Sequence, residues 1–80
     1  MLKLSDLKVG SKVCYVPEHY VESNKFENGV VKEIPSFASD ANHAHYNSVR
    51  VVYNCAGNWE NYENYTSALT NLRDVVLGWK

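Results

Sequence analysis

Three aromatic residues at intervals of three, Trp59, Tyr62 and Tyr65, alternate with two carboxylates, Glu60 and Glu63, in the run WENYENY. Large planar rings with polar tips offer apolar contact area at low entropic cost, which is the chemistry of a binding surface. Carboxylates beside them suit a cationic ligand, through ion pairs and through contact of the cation with the ring faces, and they oppose a phosphate backbone. Tyr20 and Tyr15 are expected near this patch, and Glu18, Glu22 and Glu27 lie in the segment that leads towards it. A purely structural use competes with this reading. A small domain needs bulky side chains to plug its ends, and glutamates on loops keep it soluble.

The other reactive side chains make weaker cases. His19, His43, His45, Cys14 and Cys55 could suggest a metal, but a structural zinc site wants four ligands in close pairs. Here the cysteines are far apart and two of the histidines sit on a polar loop. A Cys55–histidine nucleophile lacks any nameable orienting group or oxyanion donor. We therefore expect no metal, no cofactor and no catalytic residue. Asn54, Asn58, Asn61 and Asn64 could read a peptide backbone or a base, although turn formation explains them equally well. Lys3, Lys8, Lys12, Lys32 and Arg50 are spaced too widely to mark a nucleic-acid stripe.

Eighty residues allow one domain, spanning residues 1–80, with a small core. The chain is 45% hydrophobic and 21% charged, a globular balance rather than a disordered one. A net charge of −1 gives no field to draw in nucleic acid or an anionic membrane. The sequence contains no apolar run long enough to span a bilayer, and its start, MLKLSDLKVG, lacks the apolar stretch of a signal peptide. Two cysteines are fewer than a domain this small usually carries in an oxidising space, so free thiols and a cytoplasmic location are expected. A single Cys14–Cys55 bridge stays open as the alternative.

Several short elements must position these residues. Ser5 or Asp6 can cap one helical turn, Leu7 can point inward, and Gly10 tolerates positive φ. Residues 11–16 read as a first strand, with Val13 and Tyr15 on one face and Cys14 and Val16 on the other, ended by Pro17. Residues 17–28 read as a hairpin arm, with Asn28-Gly29 as its turn. Residues 29–34 form a second strand, and residues 35–47, small and polar, a mobile loop. In residues 48–54, Val49, Val51 and Tyr53 share one face while Val52 takes the other, which marks a central strand. CAGN then turns the chain, and a helical turn capped by Asn58 gathers the three rings on one side. Residues 65–69 supply a fourth strand, residues 70–74 a turn with Leu72 inward, and residues 75–79 a closing strand. Five short strands joined by single helical turns give an all-β fold, a small, strongly bent barrel.

The segments DLKVGSKVCYV, NGVVKEI and VRVVY, followed by a turn and a last short strand, resemble an SH3-like barrel and its KOW and Tudor-type relatives. Gly29 and Val31 are similar to the glycine–valine core of a KOW strand. The stretch from VVYN through NWENYENYT to LGW is similar to short bacterial and phage-encoded proteins of no assigned activity. The resemblance implies the fold and leaves the function open, because SH3-like barrels host peptide binding, nucleic-acid binding and scaffolding alike. Two expectations follow. The first is a non-enzymatic binding module that meets a protein partner through Trp59, Tyr62, Tyr65, Glu60, Glu63 and Tyr20, in the manner of a phage or mobile-element accessory or inhibitor protein. The second is a KOW-type nucleic-acid or nucleotide binder, with Tyr and Trp as stacking platforms beside Lys8, Lys12, Lys32 and Arg50. The charges that flank Trp59 separate them.

Overall fold

A computed structural model describes residues 2–80. Valine-rich alternation produces five strands, β1 (Lys12–Tyr15), β2 (Glu27–Glu33), β3 (Ser48–Val52), β4 (Ala68–Asn71) and β5 (Val75–Leu77). They form one antiparallel sheet in the order β4-β3-β2-β1-β5. Side chains alternate across a strand, so Val13, Val31, Val49 and Val51 share one face. They pack there with Leu7, Leu72 and Val75, all buried, and Tyr15, Tyr53, Ile34, Leu2 and Leu4 close the margins.

The opposite face is also covered. Cys14, Val30 and Val52 point that way and are buried, as is Cys55 just beyond β3. A strand apolar on both sides is therefore central, as Val52 had implied for β3. The basic residues of this face are Lys12, Lys32 and Arg50, and Arg50 Nε lies 3.1 Å from Glu33 Oε1. The pairing of β2 with β3 slips between Val31 and Glu33, a bulge beside that ion pair.

Single helical turns make the connections. Asp6 accepts the Lys3 N–H at 3.0 Å, and Gly10 adopts φ 97°. Pro17 and Pro35 end their strands in extended geometry, and each starts a helical turn, Glu18–Val21 and Ser36–Ser39. The turn Leu72–Asp74 joins β4 to β5 and buries Leu72.

The structure corrects three expectations. Asn28-Gly29 is no turn: both residues lie inside β2, opposite Cys14 and Val13. The chain reverses earlier, around Asn24 at φ 54°. Glycine is needed at position 29 for space, since a Cβ there would stand 2.6 Å from Val51 Cγ1 and 2.9 Å from Tyr53 Cδ1. Residues 35–47 are not a featureless loop. Ala38 is fully buried, Phe37 stacks on His43 at 4.6 Å, and the Asn47 N–H donates to the Ala38 carbonyl.

The third correction concerns closure. A flat five-stranded sheet would hold its edges about 19 Å apart at the usual spacing of about 4.8 Å. The three residues between β4 and β5 span at most roughly 14 Å, so the sheet curls. Among the described residues its edges nevertheless do not pair: β4 bonds to β3 alone, and β5 to β1 alone. The result is an open, curled sheet with a seam along β4.

Candidate functional site

The aromatic turn runs from Trp59 to Asn64 as two single turns divided at Asn61, whose φ of −116° is not helical. Ala56 and Gly57, both at positive φ, swing the chain into it. Asn58 does not cap the turn with its side chain. Its Oδ1 accepts from Asn61 Nδ2 at 3.0 Å, and its Nδ2 donates to Tyr65 Oη at 3.3 Å. The expected side-sharing of the rings holds in outline: Trp59, Tyr62 and Tyr65 are half-buried, while Glu60, Asn61, Glu63 and Asn64 are exposed. The turn packs against β2, with Lys32 Nζ donating to the Tyr65 carbonyl at 2.8 Å. These rings form a roof on the side of the sheet that carries Cys14, Val30 and Val52.

Trp79, which sequence reasoning did not single out, completes that roof. Its Nε1 donates to the Gly29 carbonyl at 2.8 Å, and its ring lies 4.9 Å from that of Trp59 at 53°. Lys12 Nζ stands 4.6 Å over the Trp79 ring, a cation–π contact. The Gly29 carbonyl faces β1, where Val13 is its ladder partner, so the indole N–H shares that acceptor and ties Trp79 to the β1–β2 pair. A tryptophan that follows a Gly just after the last short strand was the available signal.

The charges around Trp59 are mixed. Lys12 and Glu60 both border the groove between Trp59 and Trp79. Yet the basic residues of this face are engaged internally: Lys12 on Trp79, Lys32 on a carbonyl, Arg50 on Glu33. Glu60 and Glu63 enter no ion pair among the described residues.

Tyr20 is not part of this group. It packs edge-on against Tyr15 at 5.5 Å, and Tyr15 in turn lies 5.6 Å from Tyr53. Tyr15 and Tyr53 belong to the opposite face of the sheet. There they line a cleft of about 250 Å³ whose other walls are Glu27, Asp74 and all four residues of β4. The Thr70 hydroxyl lies within 3.3 Å of the Ala68 carbonyl and 2.8 Å from Tyr53 Oη, a hydroxyl pair in which either oxygen can donate. Burial pushes the Tyr53 phenol up to about 12, against the opposing pull of the Thr70 hydrogen bond, with Tyr15 and the Glu27 and Asp74 carboxylates adding to the rise. Tyr15 is raised by burial, then by Asp74, Tyr20 and Glu27. Both phenols resist becoming anions in a negative environment.

Comparison with known protein families, with curated proteins and with solved structures returned no match. The site must be read from its own chemistry.

That chemistry is aromatic and acidic at the tyrosine cleft, and aromatic with an engaged lysine at the tryptophan roof. The acidic arm expected beside Trp59 instead sends Glu27 to the tyrosine cleft, because Glu27 faces Tyr15 across β1 and β2. Sequence reasoning assigned Tyr53 to the inner face but missed that it stops at the margin, and it did not single out Asp74 or Thr70. Their signal was positional: Tyr15, Tyr53 and Asp74 all sit at or next to strand ends. Cys14 and Cys55 are both buried and free. Among the described residues no group of three His, Cys, Asp or Glu is placed to hold a metal, and no helix is long and apolar enough to cross a membrane.

Proposed function

We propose that the protein is a non-enzymatic binding module that engages a basic segment of a protein partner. The observation that carries this reading is the tyrosine cleft, which Tyr15 and Tyr53 line together with Glu27 and Asp74. A cation entering there meets ring quadrupoles and negative charge together. The pocket is concave, as ligand sites usually are, whereas the roof rings are partly committed to covering the second layer. In this reading Trp59, Tyr62 and Tyr65 hold that layer and lend their outer edges to contact. Glu60 and Glu63 add negative charge that speeds the approach of a basic partner. The fold fits an SH3-like barrel left open at one seam, working in the cytoplasm with its thiols reduced. An accessory or inhibitor role for a phage or mobile element is a setting such a module suits.

Isotope-labelled protein titrated with an arginine- and lysine-rich peptide tests the reading. Resonances of Tyr15, Tyr20 and Tyr53 are expected to shift, and Glu27→Lys with Asp74→Lys should weaken the complex at least tenfold. Equal shifts with a glutamate-rich peptide would sink it.

One observation favours a second reading, a single-stranded nucleic-acid binder: Lys12 stands over Trp79 beside Trp59, a cation next to stacking platforms. The engagement of Lys32 and Arg50 weighs against it. A steep fall of affinity with salt would promote it, since released counterions report each phosphate gripped.

A further inference from the structure

The tyrosine cleft has one wall unlike the others. It is a strand edge, for Ala68, Leu69, Thr70 and Asn71 all line the cleft, and these four residues are the whole of β4. The Leu72 N–H donates to the Asn47 carbonyl, which fixes the alternation along the β3–β4 ladder. With Val49 opposite Thr70 and Val51 opposite Ala68, those pairs bond across the ladder. The Leu69 N–H and carbonyl and the Asn71 N–H then point away from β3, towards the seam. No backbone bond outside the ladder takes them up among the described residues.

Exposed edges are usually blunted by lysine, by proline or by an inward charge. The sequence of β4, ALTN, carries none of these. The other free edge, β5, is only three residues long. Free ladder groups and a site for a cation therefore lie side by side at one seam.

We infer that the partner segment binds as an added strand on the open edge of β4, with one basic side chain directed into the cleft between Tyr15 and Tyr53. This rests on the basic-partner reading above and adds to it the geometry of binding. Main-chain bonds to Leu69 and Asn71 supply affinity, and the cleft selects one side chain of the alternating pattern. An arginine or lysine fits, because it faces the carboxylates of Glu27 and Asp74 and the tyrosine ring faces. Of the cations nearby, Arg73 already leans on Asp74, at 3.8 Å, and is largely exposed, so it can yield to an incoming cation. A second copy of the chain suits the edge less well. Pairing two β4 edges would bring two sets of Glu27 and Asp74 together, and like charges so placed repel.

The test uses a blocked synthetic peptide of alternating valine and threonine with one central arginine, titrated into the full chain by calorimetry and nuclear magnetic resonance. Binding is expected to move the amide resonances of Leu69 and Asn71. It should fall at least tenfold when the arginine becomes glutamate, and at least tenfold when alternate peptide amides are N-methylated. Leu69→Pro removes an outward donor without touching the β3 ladder, and it should cost as much with an unchanged circular dichroism spectrum. Leu69→Ala should retain binding. If Leu69→Pro misfolds, the methylated peptide decides alone. Strand addition is overturned, with the basic-partner reading intact, if methylation has no effect while Glu27→Lys abolishes binding. A proline-rich arginine peptide binding as tightly as the valine–threonine one has the same meaning. Failure of every basic peptide at millimolar concentration refutes both readings. Concentration-dependent dimers that protect the Leu69 amide would give the edge to a second copy and overturn the inference.

Discussion

Replacing Gly29 by alanine isolates one steric demand at the centre of the molecule. The new methyl would stand 2.6 Å from Val51 Cγ1 and 2.9 Å from Tyr53 Cδ1. Carbon atoms pack best at about 3.5–4.0 Å, so roughly 1 Å must be relieved. Val51 is fully buried and cannot retreat. Tyr53 can move only by straining its 2.8 Å bond to Thr70 and tilting into the cleft. Overpacking of this kind costs about 1–3 kcal/mol. Removing a glycine from a strand returns about 0.5–1 kcal/mol. The expected net loss is about 1–2 kcal/mol, or roughly 5–15 °C of melting temperature for a domain of this size. Urea melting measures the first effect. Alkaline titration of phenol absorbance measures the second, because a displaced Tyr53 should ionise closer to the ordinary tyrosine range. A Gly29→Ala protein that melts with the parent and titrates like it would refute the packing argument.

Val51→Asp should leave the chain unfolded by circular dichroism, since an unpaired carboxylate in the core costs several kcal/mol, comparable to a domain's whole stability. Trp79→Phe deletes the indole donor to the Gly29 carbonyl, which keeps its ladder partner in β1, so a loss of about 0.5–1.5 kcal/mol is expected in denaturant melts. Cys14 and Cys55 should react with a thiol reagent only as fast as the protein opens, and their joint replacement by alanine should lower stability modestly while leaving peptide binding intact. Stability should decline as pH rises from about 10 towards 12: Tyr53 holds its proton more tightly folded than unfolded, so its contribution is complete below the unfolded value and is lost through the folded one. Tyr53→Phe should flatten that decline, and an unaltered alkaline profile would contradict it.

The strands were legible because their valines alternate, and β3 was readable as central from Val52 alone. Asn28-Gly29 misled because a glycine that supplies turn freedom and one that supplies room look identical in a sequence. Only the neighbours Val51 and Tyr53, brought over from β3, distinguish them. The three rings at residues 59, 62 and 65 share one turn and are all half-buried, but Tyr20, expected near them, packs elsewhere. Its actual partners, Tyr15 and Tyr53, come from β1 and from the end of β3, and register decides that meeting. Closure failed for a similar reason. Whether β4 and β5 pair depends on how far the sheet curls, and no local pattern in ALTN or VVL encodes it.

The clasp at the end of the sequence bears on the order of assembly. Asn28 Nδ2 donates to the Lys80 carbonyl and Asn28 Oδ1 accepts from the Lys80 N–H, across 52 positions of chain. Trp79 reaches Gly29 across 50. Neighbours β2, β3 and β4 follow one another and can zip by short closures, whereas β1 meets β5 only after nearly the whole chain has been gathered. Contacts that close so long a loop are expected to form late, so weakening the clasp or the tryptophan contact should speed unfolding and leave the folding rate near the parent's, and a folding limb that slows instead would refute this.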